Sequence, residues 1–195
     1  MQTALETEKV GRYTVEIHTD PDAESPREWS NIGKMICFHK RYTLGDKHDF
    51  KHDDFSGWAE LEKHLREKEG AVLVLPLYLF DHSGITMRTE PFGDPWDSGQ
   101  VGLIYATEAA ILEAFLKKKL GSRVLELARK NLIGEVKDYD DFLTGQVYGY
   151  IIKDENGEDV DSCWGFFGGI EYCREEARAA VPKPKKKAKK SKRAK

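Results

Sequence analysis

Hydrophobic and polar positions divide the chain before any chemistry is considered. Tyr13, Val15 and Ile17 alternate with polar residues, the period of a half-buried strand. Met35-Ile36-Cys37-Phe38 predicts a second, short and buried strand. Residues 71–80 are the longest apolar run and predict the central strand, bent or bulged at Pro76, which has no N–H to give to a ladder. Residues 101–106 predict another strand. Residues 146–153 and 160–166 read as a hairpin, because Asn156-Gly157 between them tolerates the positive φ of a tight turn.

Helical spacing appears in four places. Trp58, Leu61 and Leu65 recur behind a Ser56 cap and stop before Gly70. Ile111, Leu112, Phe115 and Leu116 are expected to face inward behind a Thr107 cap. Val124, Leu125, Ala128 and Leu132 follow a Ser122 cap, with a turn expected over residues 138–145, and a last helix is expected over residues 170–181. Residues 19–31 and 39–55 have no apolar period and read as loops. Hairpin-grouped strands with helices between them predict an α+β fold, a mostly antiparallel sheet with helices packed on one face. No GxGxxG or P-loop pattern and no internal repeat is present.

Charge changes this picture more than composition does. The net charge of −3 over 195 residues is an average of two opposed regions. Lys183, Lys185, Lys186, Lys187, Lys189, Lys190, Lys192, Arg193 and Lys195 form a nine-cation tail without an anion. The remainder holds 22 basic against 34 acidic residues, a net charge of −12. The expected organisation is one acidic domain over residues 1–181 and a disordered Lys/Pro-rich tail over residues 182–195. Nine cations neutralising phosphates would give sequence-independent nucleic-acid affinity, since the tail has no aromatic ring to stack on bases. No apolar run is long enough for a membrane span and the first eleven residues are polar, so a cytoplasmic location is expected. Cys37, Cys163 and Cys173, odd in number and lacking CxxC spacing, read as buried reduced thiols.

Three segments offer chemistry. Asp81, His82 and Ser83 end the central strand in a glycine turn, where a carboxylate and an imidazole suit general acid/base work; the alternative is that Asp81 and Ser83 only bond the backbone of the turn. Asp94 and Asp97 flank Trp96 in a proline-stiffened loop suited to a cationic or sugar-like group, or else they cap turns while Trp96 plugs a sheet edge. Trp164 lies beside Cys163 on the last strand and is a further binding candidate. Cys37-x-His39 is not a standard zinc spacing, and His48 and His52, though spaced i,i+4, sit among Asp46, Asp49, Asp53 and Asp54 in what reads as a solvated loop, so no metal and no cofactor is assigned.

Residues 35–42, residues 77–85 with Asp81-His82-Ser83-Gly84, residues 95–102 with Trp96-Asp97-Ser98-Gly99-Gln100, and residues 143–166 with Asp161-Ser162-Cys163-Trp164 together resemble a family of uncharacterised proteins encoded by bacteriophages and mobile elements. The resemblance spans nearly all of residues 12–180, and the basic tail looks like an addition to it. It implies no activity and no catalytic residues. It makes an accessory role in phage–host conflict the expectation: an acidic domain that engages a protein partner, with a tail that keeps it near nucleic acid. The alternative is a hydrolase or nuclease gathering Asp81, His82, Asp94 and Asp97, with or without a divalent metal.

Overall fold

A computed structural model describes residues 3–183 of the chain. In chain order the strands are β1 (Glu6–Val10), β2 (Tyr13–Thr19), β3 (Lys34–Cys37), β4 (Ala71–Asp81), β5 (Ile85–Arg88), β6 (Ser98–Thr107), β7 (Tyr148–Lys153) and β8 (Asp159–Phe166). The helices are α1 (Trp58–Glu67), α2 (Glu108–Ala114), α3 (Ser122–Leu143) and α4 (Ile170–Ala180). Every strand pairing is antiparallel, and the fold is α+β. Where one sheet was expected there are two, ordered β1-β2-β7-β8 and β3-β6-β4-β5. They belong to two compact units, one made of residues up to Thr19 and from Tyr148 onward, the other of Asp20–Val147. No helix among the described residues is long and apolar enough to cross a membrane.

In the first unit the strand period selects what α4 covers. Val15 pairs with Ile152 and Ile17 with Tyr150, so these four share a face, and α4 lays Cys173 and Ala177, one turn apart, against it. Arg174 holds Glu6 at 2.8 Å and Arg178 holds Glu8 at 2.8 Å, which ties α4 to β1. These ion pairs account for an edge strand that is almost wholly polar. The expected hairpin forms as β7 and β8: an Asp154 carboxylate oxygen accepts from the Asn156 and Glu158 N–H groups, and Gly157 takes φ +85°.

The larger unit is covered on both faces of its sheet. Met35 pairs with Ile104 and packs towards α2 and α3, with Leu77, Ile111 and Leu132 fully buried around them. One residue on, Ile36 pairs with Leu103 on the opposite face, against Leu61 and Leu65 of α1. Each fully buried Leu or Ile contributes roughly 1.5–3 kcal/mol relative to exposure. At Gly102 a Cβ would stand 2.2 Å from the Ile36 carbonyl oxygen, so only glycine allows β3 this close. Pro76 stays in register opposite Leu103, and β5 pairs only with Tyr78–Asp81, leaving one side of β4 without a partner strand at the proline. The ladder shift falls just beyond it, between Leu77 and Tyr78.

Several helix ends differ from expectation. Thr107 caps α2 as expected, accepting from the Ala110 N–H, but Gly57 and Gly121 are the N-cap residues of α1 and α3. Ser56 instead bonds Glu60 through both its N–H and its hydroxyl. Helix α2 stops at Ala114, and Leu116, expected to face inward, is 91% exposed at φ +52°. Helix α3 runs on to Leu143, so the turn expected over residues 138–145 is confined to Thr144 and Gly145. Its polar last turns are used in tertiary bonds, with Asp140 accepting from the Thr86 hydroxyl and the Met87 N–H at 2.7 Å each.

Candidate functional site

Antiparallel pairing of β4 with β6 brings the two acidic segments together. The Asp81 N–H donates to the Asp97 carbonyl at 2.8 Å, and His82 then reaches the Asp97 side chain, Nδ1 to Oδ2, at 2.9 Å. A carboxylate only accepts, so Nδ1 carries the proton and Nε2 of the neutral ring is left as a base. Ser83, at φ +57°, and Gly84 close the β4–β5 turn. The pair stands on the surface, with the His82 side chain 65% and the Asp97 side chain 41% exposed.

The other two carboxylates are engaged elsewhere. An Asp94 oxygen accepts from the Trp96 N–H at 2.7 Å and the Asp97 N–H at 3.0 Å, and the Asp97 bond first, then the Trp96 bond, holds its pKa below the usual carboxylate range. Asp94 thus shapes the turn, and the turn presents Trp96 with 91% of its surface open to solvent. Asp81 pairs with Arg41 and accepts from the Tyr42 hydroxyl at 3.5 Å. Among the described residues no three His, Cys, Asp or Glu side chains are grouped so as to hold a metal ion.

Trp164 belongs to the first unit. Its ring lies over Gly149, where a Cβ would be 2.1 Å from a ring atom, and 6.1 Å from the buried His18 imidazole. Cys163 was expected to be buried and is exposed, because β8 is an edge strand with residues 159–165 open to solvent. Cys37 and Cys173 are buried as expected, and burial pushes their thiols up to about 12 and about 11. Of the nine tail cations only Lys183 falls within the described residues; the expected disorder of the tail concerns residues outside them.

A feature the sequence reading passed over lies beside Asp81. The loop after β3, read as plain exposed chain, walls a cleft of about 1000 Å³ running from Cys37 to Asp53 and closed by Gln100 and Val101. The loop is pinned from below by Arg27, whose side chain is 4% exposed. Arg27 donates twice to Asp46 at 2.8 Å, once to Glu135 at 3.2 Å and once to the Gly33 carbonyl at 2.7 Å. Burial alone would lower its pKa, but the bonds and charges of Asp46 and Glu135 outweigh that and raise it. Gly45, at φ +72°, donates its N–H to the Tyr139 hydroxyl, and a Cβ there would meet the Met35 carbonyl at 2.8 Å.

Within the cleft, His39 stacks on Tyr42 with ring centres 5.0 Å apart. His39 Nδ1 accepts from the Arg41 and Tyr42 N–H groups, so in the neutral ring the proton sits on Nε2. His48 Nε2 faces the Cys37 carbonyl oxygen at 3.1 Å and must be the donor, leaving Nδ1 a buried acceptor without a partner among the described residues. The signal that could have found this cleft is the grouping of Lys40, Arg41 and Lys47 with three histidines in an otherwise acidic body. No protein-family model, curated protein or solved structure matches the chain.

Proposed function

We propose that the protein is a non-enzymatic accessory binding protein of the bacteriophage and mobile-element kind. In this reading the acidic body engages a protein partner, and the basic tail keeps the pair near nucleic acid without reading sequence. The observation that carries it is the division of charge, −12 against nine cations with no anion among them. Trp96 supports the protein-partner half: an aromatic ring held out on a hydrogen-bonded turn between two carboxylates has the form of an interface anchor for a cationic, hollow surface. The tail half is tested by retention on single- and double-stranded oligonucleotides of unrelated sequence. The full chain should bind all of them with a salt slope of about −6 to −8, and a chain ending at residue 182 should lose that binding. Unchanged retention after truncation removes the tail half.

One observation favours a second reading. The His82–Asp97 bond of 2.9 Å has the form of an imidazole oriented by a carboxylate for general-base work. Its exposure, and the commitment of Asp81 and Asp94 to other bonds, favour binding over hydrolysis. A hydrolase screen in which the wild type turns over a substrate and Asp97→Asn loses at least about a hundredfold would reverse that preference.

A further inference from the structure

The cleft beside β6 has a charge opposite to the body that contains it. Lys40, Arg41 and Lys47 line it, with His39, His48 and His52, while the body as a whole carries −12. Two acids line it as well. Asp46 is spent on Arg27 and on the Met35 N–H, and Asp53 is fully exposed. Arg41 is paired with Asp81, but Lys40 and Lys47 have no carboxylate partner among the described residues. Two free ammonium groups at a concave, ring-lined surface form a site for an anion. Phe38, His39 and Tyr42 supply flat apolar surface in the same cavity.

From these observations we infer that the cleft binds a nucleoside phosphate. The phosphate is held by Lys40 and Lys47 with the His39 Nε2–H. The base packs among Phe38, His39 and Tyr42. The volume of about 1000 Å³ is at the upper end of small-ligand sites, which leaves room for one nucleotide or for the terminal nucleotide of a strand. This inference does not rest on the tail, which is kept intact in every arm of its test.

The test is a calorimetric or NMR titration of the full chain with adenosine monophosphate, beside adenosine and inorganic phosphate. Adenosine monophosphate should saturate the protein at up to millimolar concentration, with each fragment at least about tenfold weaker. The double variant Lys40→Ala, Lys47→Ala changes two exposed side chains and should fold normally. It should weaken binding by about tenfold or more, whereas Lys63→Ala with Lys130→Ala, on α1 and α3, should leave binding unchanged. No saturable binding overturns the inference. So does phosphate binding as tightly as the nucleotide, or a nucleotide affinity unmoved by the Lys40 and Lys47 changes. A 5′-phosphorylated single strand that displaces the nucleotide identifies a strand end as the source; failure to displace it identifies the free nucleotide. Nucleotide binding by a full chain that retains no oligonucleotide breaks the tail reading alone.

Discussion

Arg27 with Asp46 and Glu135, and His82 with Asp97, are both charge clusters drawn from separated segments, and water distinguishes them. The first is sealed under the cleft loop, and each guanidinium nitrogen has a partner. The second stands on a hairpin turn with more than a third of each side chain wet. Similar bonds therefore have different consequences. In the dry cluster a lost partner leaves buried charge uncompensated; in the wet one solvent replaces it.

The largest test of that contrast is Arg27→Ala. Stripping the shared cation from two carboxylates should cost about 3–5 kcal/mol in denaturant unfolding. A cost below about 1 kcal/mol would mean the cluster is not sealed. Asp97→Ala should change stability by under about 1 kcal/mol, and a larger loss would make the pair a structural one.

Acid titration separates the clusters by sign. Burial, the main cause, raises the Glu135 pKa, so the folded protein binds its proton first and the contribution of this group falls as pH rises through that window. Asp94, beside the wet pair, is lowered, so its contribution is present above the ordinary carboxylate range and is lost as pH falls through its folded pKa. Between about pH 3 and 7, Glu135→Gln and Asp94→Asn should therefore change the slope of stability against pH in opposite directions.

The smallest effect is on reactivity alone. Iodoacetamide at mildly alkaline pH should label exposed Cys163 and spare buried Cys37 and Cys173 in the native protein. In Arg27→Ala, Cys37 should begin to label as the loop above it loosens. Unchanged protection of Cys37 there would separate the cluster from the loop it is said to pin.

The contrast also marks what could be read from the sequence. The wet pair was legible because its members lie at the ends of recognisable runs, the apolar stretch that becomes β4 and the glycine-rich loop before β6. The Arg27 cluster was not, since its partners are 19 and 108 residues away and carboxylates and arginine look like surface until a fold encloses them. The same holds for helix α3 beyond Asp138, where an acidic stretch resembles a turn unless Thr86 and Met87 are known to receive Asp140. Local chemistry did mark the Asn156-Gly157 hairpin and the Thr107 cap. It did not mark β1, whose sequence Glu-Thr-Glu-Lys-Val becomes a strand through Arg174 and Arg178.

The first unit is interrupted in sequence, and synthesis meets that interruption in time. β1 and β2 leave the ribosome as a hairpin that is marginal by itself, and β7, the strand that β2 needs, begins only at Tyr148. At roughly 5–20 residues per second the wait is on the order of 10 s. Throughout it the apolar face of Val15 and Ile17 has no partner, while the whole of the second unit is being made. The order of elements along the chain thus completes β1 and β2 only after the second unit has been made. For those seconds the β1–β2 hairpin is open to a chaperone or to a neighbouring chain.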